Sequence, residues 1–203
     1  MILALSDLYF QAENYLLGGG LVIVPIVLIS CVMWTLIINR VLFFRRLQRK
    51  NMSRLEAGRC IHDGEVPDPG KYRGITSLLV RRFLAKRTGN RVVDRYILDE
   101  TVMHTVSLLD NYLAIIQILA GIAPLLGLLG TVTGMITTFD IIAGFGTGNA
   151  RAMAGGISEA LITTQSGLLV AIPGLYMSSF LKRRADILKQ RLSSVGLYLL
   201  NYI

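Results

Sequence analysis

Residues 113–139 read LAIIQILAGIAPLLGLLGTVTGMITTF and contain no Asp, Glu, Lys or Arg. A helix needs about 20 consecutive apolar residues to cross a hydrocarbon layer about 30 Å thick. Backbone N–H and C=O groups must be paired within lipid, so such a segment is expected to be a transmembrane helix. This stretch therefore predicts a membrane protein.

Two further segments lack charged residues over a comparable length. One lies between Glu13 and Arg40, and the other lies between Glu159 and Lys182. We therefore predict an all-α membrane protein with transmembrane helices at residues 21–43, 113–140 and 157–181. Residues 1–17 mix apolar with polar side chains and are predicted to form an amphipathic helix at the periplasmic interface. The run Gly18-Gly19-Gly20 is interpreted as a hinge before the first span.

The distribution of basic residues predicts the orientation. The formal net charge is +8, yet residues 1–20 contain no Lys or Arg and residues 143–155 contain only Arg151. Basic segments remain in the cytoplasm. We therefore predict a periplasmic N-terminus, a cytoplasmic helical loop at 44–111, a periplasmic loop at 141–155 and a cytoplasmic tail helix at 182–203. Anionic lipids are the expected partners of this charge, and nucleic acid is not.

The composition argues against an enzyme or a metal centre. The chain contains two cysteines and two histidines, without the spacing of a zinc site or a disulfide framework. A membrane protease or acyl transferase needs a nucleophile beside a base at membrane depth, and no histidine lies in the third span near Ser158 or Ser166. We expect neither enzymatic activity nor a cofactor.

Apolar residues at helical spacing extend the second and third spans beyond the membrane. The spacing from Val93 to Leu113 predicts a helix that starts near Val92 and runs unbroken into the second span. A second stripe, from Leu181 to Leu199, continues the third span into the tail. Either stripe can serve packing within one chain or a helical bundle shared between subunits.

Small and hydroxyl-bearing residues occupy one face of the second span. Gly130 and Gly134 also form a GxxxG motif, which favours close packing of helices in membranes. Two interpretations remain open: this face serves helix packing alone, or its threonines line a polar path. The residues of the motif and of this face are Ala120, Pro124, Gly127, Gly130, Thr131, Gly134 and Thr138.

The third span contains one carboxylate, Glu159. An ionisable group at the centre of a span costs about 2.5–3.5 kcal/mol on insertion scales, so it is expected to face a cavity or a partner. Alternatively, it lies far enough out to be hydrated, or pairs with Arg151. Helical periodicity places Thr163 on its face and turns Thr164 away by about 140°. The polar residues that follow Glu159 are Thr163, Thr164, Gln165 and Ser166, and Pro173-Gly174 is expected to bend the helix.

Two long motifs resemble the signatures of the ExbB/TolQ/MotA proton-channel family. Residues 123–135 (APLLGLLGTVTGM), with Phe139 following, are similar to the second-span signature of that family. Residues 155–164 (GGISEALITT), followed by Gly167-Leu168 and Ala171-Ile172-Pro173, are similar to the third-span signature. The order of the motifs, the predicted topology and the basic loop also agree with this family, and the ExbB branch resembles the chain most.

The resemblance implies a homopentamer in the bacterial inner membrane, with a pore lined by the second and third spans. A dimer of a one-span, ExbD-like protein would sit in that pore, and each copy would bring a membrane aspartate. Proton flow would then power a TonB-like energy transducer. Residue by residue, Glu159 matches the third-span glutamate of the family, Thr131 the second-span threonine and Thr164 the third-span threonine, whereas periodicity favours Thr163.

The resemblance leaves several roles open. A TolQ-like subunit for envelope integrity, a flagellar or gliding-type stator and a passive membrane scaffold are the alternatives. Gln165-Ser166 stands where many relatives have small apolar residues, so the pore wall is more polar here. A proton is the expected coupling ion, and sodium remains an alternative because these side chains offer oxygen ligands.

Overall fold

The structure, a computed structural model, describes residues 18–48, 51–146 and 149–203. The predicted interfacial helix at residues 1–17 lies outside this part of the chain. The regular structure within it is helical, as the sequence predicts. The helices are α1 (Ile23–Gln48), α2 (Arg54–Asp63), α3 (Ile75–Lys86), α4 (Arg91–Asp110), α5 (Leu113–Phe145) and α6 (Ala150–Leu199), and a 3-10 turn follows at Leu200–Tyr202.

Three helical stretches are long and apolar enough to cross a membrane. They are Ile23–Gln48, Arg91–Phe145 and Ala150–Tyr202, and the most apolar window of each has a mean hydropathy of 2.2, 2.2 and 1.4. The predicted all-α fold with three such helices is therefore confirmed. Only 22%, 33% and 33% of these windows are buried within the chain, so the chain itself does not fully cover most of their residues.

The prediction of an unbroken helix from Val92 into the second span is wrong. α4 ends at Asp110, α5 begins at Leu113, and Tyr112 between them has a left-handed φ of 64°. A helix break leaves carbonyl groups of the last turn without intrahelical donors. Arg40, which is 4% exposed, donates from Nη2 to the carbonyl of Leu108 at 2.6 Å and to that of Leu109. The guanidinium group thus stabilises the break.

The chain divides into two compact units, which are described separately. The membrane unit contains the described residues up to Leu36 together with Ile115–Ser178. The loop unit contains the described residues of Ile37–Ala114 together with Ser179–Ile203. In the loop unit, the tail stripe is buried within the chain, which supports intramolecular packing of that stripe. The core of the loop unit includes Ile61, Leu79, Phe83, Leu98, Leu188, Leu192, Val195 and Leu199.

Local hydrogen bonds define where α2 begins. The Ser53 hydroxyl accepts from the Glu56 backbone at 3.2 Å, and the Glu56 carboxylate accepts from the Ser53 backbone at 3.0 Å. This reciprocal pair is a capping box, which satisfies backbone donors at a helix start. The hydrogen bonds from Ser53, and a further one from the Tyr72 hydroxyl, hold the pKa of Glu56 below its ordinary value.

A buried carboxylate connects α4 to the loop that precedes it. Asp94 is 1% exposed and accepts hydrogen bonds from the backbone and hydroxyl of Thr88 at 2.8 and 3.0 Å, and from the Gly89 backbone at 3.1 Å. The Arg87 guanidinium lies 3.5 Å from the same carboxylate. Asp94 therefore organises the connection between α3 and α4.

In the membrane unit, α5 and α6 approach each other at glycines. A Cβ on Gly134 would lie 2.7 Å from the Gly156 carbonyl oxygen, and one on Gly167 would lie 2.6 Å from the Ala123 carbonyl oxygen. Real side chains do not tolerate such separations from backbone atoms, so the contact requires glycine. Gly174 likewise lies against Met33 of α1. Pro124 and Pro173 lie inside α5 and α6, which continue past them.

Asp94→Asn is expected to destabilise the loop unit by about 1–3 kcal/mol, because an amide NH2 group would face donors that now bind a carboxylate oxygen. The measurement is chemical unfolding of the purified protein in detergent. Asp99→Asn, at an exposed position of the same helix, is the matched control and is expected to be neutral. Equal stability of the two variants would contradict the assigned role of Asp94.

Gly130→Ala is expected to destabilise the membrane unit by about 1–3 kcal/mol, because the added methyl group would overlap the buried Thr163 side chain. Gly121→Ala is the control on the same helix, since none of the residues that the structure describes outside this turn of α5 lies within 4 Å of a Cβ there. The control is expected to be neutral or to stabilise α5 by up to about 1 kcal/mol. Unfolding in mixed micelles measures both, and a tolerated Gly130→Ala would rule out the contact.

Candidate functional site

Glu159 lies in α6 against the turn that precedes α1. Its side chain is half-buried, and its carboxylate occupies the space where a Cβ on Gly20 would stand. One turn further along α6, the Ile162 side chain lies 3.2 Å from the Cβ position of Gly18 and 3.3 Å from that of Gly19. The predicted glycine hinge is therefore packed on the helix that carries the carboxylate.

Thr163 is 1% exposed and fills the space opposite Gly130 of α5. Its hydroxyl donates to carbonyls of its own helix, with the Glu159 and Ala160 oxygens each at 3.0 Å. A threonine that bonds to a carbonyl three or four residues earlier buries its hydroxyl without an external partner. In this chain, Thr163 therefore serves the contact between α5 and α6.

Thr164 connects the two helices by a hydrogen bond. Its hydroxyl lies 3.1 Å from the Gly127 carbonyl oxygen of α5 and 3.1 Å from the Ala160 carbonyl oxygen of its own helix. It is half-buried. Around the axis of α6, Thr164 and Glu159 differ by about 140°, with Thr163 between them. The structure thus places Glu159 and Thr164 on opposite flanks of the contact with α5.

The other predicted polar residues of α6 differ in exposure. Ser166 is 8% exposed, and its hydroxyl donates to the Ile162 carbonyl at 2.7 Å. Gln165 is exposed on the surface of the chain. Arg151 is also exposed, and the ion pairs of the described residues include none between it and Glu159. Pairing with Arg151 therefore does not explain how Glu159 is held.

The small-residue face of α5 is used mainly for packing within the chain. Gly127, Gly130 and Gly134 are buried against α6. Thr138 is 3% exposed, donates to the Gly134 carbonyl at 2.9 Å and lies against Gly156. This supports the packing interpretation for these residues. The Thr138 hydroxyl is therefore not available to a polar path within the chain.

Thr131 lies at the edge of that packed face. It is half-buried, and its hydroxyl donates to the Leu128 carbonyl of its own helix at 2.6 Å. Pro124, seven residues or about two helical turns away on the same helix, is also half-buried. One side of Thr131 is therefore exposed on the surface of the single chain.

Two contacts, one in each unit, have no signal in the sequence. In the membrane unit, Gly20 lies against Glu159, although 139 positions separate them. In the loop unit, Arg40, the charged residue that ends the first uncharged segment, caps the break that follows α4. A single sequence carries no signal for contacts between residues so far apart.

Comparisons with known proteins agree with the motifs. Residues 73–194 match the MotA/TolQ/ExbB proton channel family. An ExbB-like biopolymer transport protein of Synechocystis sp. is 34% identical over 167 residues, which cover 77% of this chain and 65% of that protein. The chain thus spans about two thirds of the length of that relative.

Two proteins named biopolymer transport protein ExbB are also similar. The one of Aquifex aeolicus is 43% identical over 76 residues, or 37% of this chain and 51% of that protein. The one of Salmonella typhimurium is 27% identical over 194 residues, or 86% of this chain and 77% of that protein. These findings confirm the resemblance seen in residues 123–135 and 155–164, and the chain belongs to the MotA/TolQ/ExbB proton channel family.

Proposed function

We propose that this chain is the channel and stator subunit of an ExbB-ExbD-TonB-like complex, which uses the proton-motive force to power transport across the outer membrane. Membership of a proton-channel family and three helices able to span the inner membrane support this role. The observation that carries it is Glu159, a half-buried carboxylate in the segment of α6 long and apolar enough to span a membrane. The resemblance matches this residue to the third-span glutamate of the family. The basic segments of the chain would face the cytoplasm.

In the proposed assembly, five copies surround a dimer of a one-span protein that supplies an aspartate. The apolar surface that remains open on the spans provides room for neighbouring subunits. A fivefold ring around a twofold partner cannot satisfy all contacts at once, so the partner would step between equivalent positions. Each charge that crosses the membrane supplies about 2.3 kcal/mol per 100 mV, which would bias the direction of the steps.

Within this mechanism, Glu159 exchanges a proton and the threonines organise its surroundings. The hydroxyls of Thr131, Thr163 and Thr164 all donate to backbone carbonyls in the single chain. The oxygen atoms of Thr131 and Thr164, which are half-buried, can still accept hydrogen bonds from water or from a protonated carboxyl group, whereas that of Thr163 is enclosed within the chain. Gln165 is exposed and adds an amide to the surface that a partner would meet.

Glu159→Gln is expected to abolish proton-driven work while leaving assembly intact, because an amide retains size and polarity but does not release a proton in the physiological range. Proton flux into liposomes that contain the chain and its one-span partner is the measurement. Asp140→Asn, at an exposed carboxylate at the outer part of α5, is the matched control and should keep normal flux. Normal flux through Glu159→Gln would refute the proposal, and absence of flux in the unaltered complex would support a scaffold.

Thr164→Val is expected to reduce proton flux by about three- to twentyfold, the range that corresponds to about 0.6–1.7 kcal/mol for a hydrogen bond between membrane helices. The hydroxyl that reaches the Gly127 carbonyl would be lost while the volume is kept. Thr163→Val is the control, since that hydroxyl bonds only to carbonyls of its own helix. A larger effect at Thr163 would reverse the assignment in favour of helical periodicity.

A further inference from the structure

Gly20 stands in unusually close contact with the carboxylate that the proposed mechanism uses. It precedes α1 in a turn, has a left-handed φ of 60°, and belongs to the same compact unit as Glu159. A Cβ added to it would coincide with Glu159 Oε1 and lie 3.2 Å from Glu159 Cγ. The Glu159 carboxylate thus occupies the space that a side chain at position 20 would need.

The other two glycines of the turn lie against apolar side chains. The Cβ position of Gly18 lies 3.2 Å from the Ile162 side chain of α6, and that of Gly19 lies 2.6 Å from Ile23 of α1 and 3.3 Å from Ile162, whereas the Cβ position of Gly20 is taken by the Glu159 carboxylate. A side chain at any of these three positions would therefore collide with a different neighbour. The arrangement is more specific than a hinge, which requires only conformational freedom.

We propose that Gly20 is a positioning residue for Glu159: its lack of a side chain admits the carboxyl group to the turn before α1, and the turn covers that group on one side. This inference rests on the proposed function only in giving Glu159 a role in proton transfer. The contact between Gly20 and the carboxylate is observed in the structure and does not depend on that role. A methyl group at this position would displace the carboxylate, because the carboxylate is the flexible end of its side chain and the turn is backbone.

The test compares Gly20→Ala with Gly146→Ala in the full-length protein. Both glycines have a left-handed φ, of 60° and 66°, and both lie in the membrane unit. No other described residue lies within 4 Å of a Cβ at Gly146, so this control carries the backbone strain without the collision. The two variants are therefore expected to lose similar stability, and only Gly20→Ala is expected to alter the surroundings of Glu159.

The reactivity of Glu159 toward a hydrophobic carbodiimide reports on those surroundings. The carboxyl group adds to the carbodiimide and forms a stable acylurea, which mass spectrometry locates on the peptide. We expect the labelling rate of Gly20→Ala to differ from that of Gly146→Ala by at least about threefold, more than independent sites would scatter. Equal labelling rates in the two variants would overturn the proposal.

A folding defect would also be informative. If Gly20→Ala fails to fold while Gly146→Ala folds, adding Glu159→Asp must restore folding, since the shorter side chain withdraws the carboxyl group from the methyl group. A defect that persists in this double variant overturns the proposal. The labelling experiment needs neither the partner nor a proton gradient, so its outcome is separate from flux through Glu159→Gln, which tests the proposed function.

Discussion

The direct contact between the backbones of α5 and α6 is the constraint on which the membrane unit depends. Lipid is as apolar as the side chains of a span, so helices in membranes associate through close packing and hydrogen bonds rather than through hydrophobic burial. Glycines at 127, 134 and 167 allow the backbones to touch. Only at that separation can a side chain as short as Thr164 reach the Gly127 carbonyl, at 3.1 Å.

The same contact determines which polar groups are available for function. It buries Thr138 and Thr163, whose hydroxyls are satisfied by carbonyls of their own helices. It leaves Glu159 and Thr131 half-buried at its edges and Gln165 exposed. Of the residues considered for an ion path, Thr131, Glu159, Thr164 and Gln165 therefore keep exposed surface on the single chain.

Some of this architecture could be predicted from the sequence because its physical signals are local. The three spans follow from long segments without charge, and the glycine face of α5 follows from spacing along one helix. The site of interruption near Tyr112 could not be predicted, because no Gly or Pro marks it and the stabilising Arg40 lies 68 positions before the Leu108 carbonyl that it binds. The contact between Gly20 and Glu159 was hidden for the same reason.

The choice between Thr163 and Thr164 shows where periodicity and family resemblance give different information. Periodicity correctly places Thr163 beside Glu159, but both residues pack toward α5, and the single chain buries Thr163 against Gly130. A hydroxyl that is enclosed within one subunit cannot meet a partner that enters from outside it. Thr164, which is half-buried and bridges to a carbonyl of α5, remains accessible on one side. If the ion path forms between subunits, accessibility rather than proximity to Glu159 selects the threonine, which is why the family position is the better candidate.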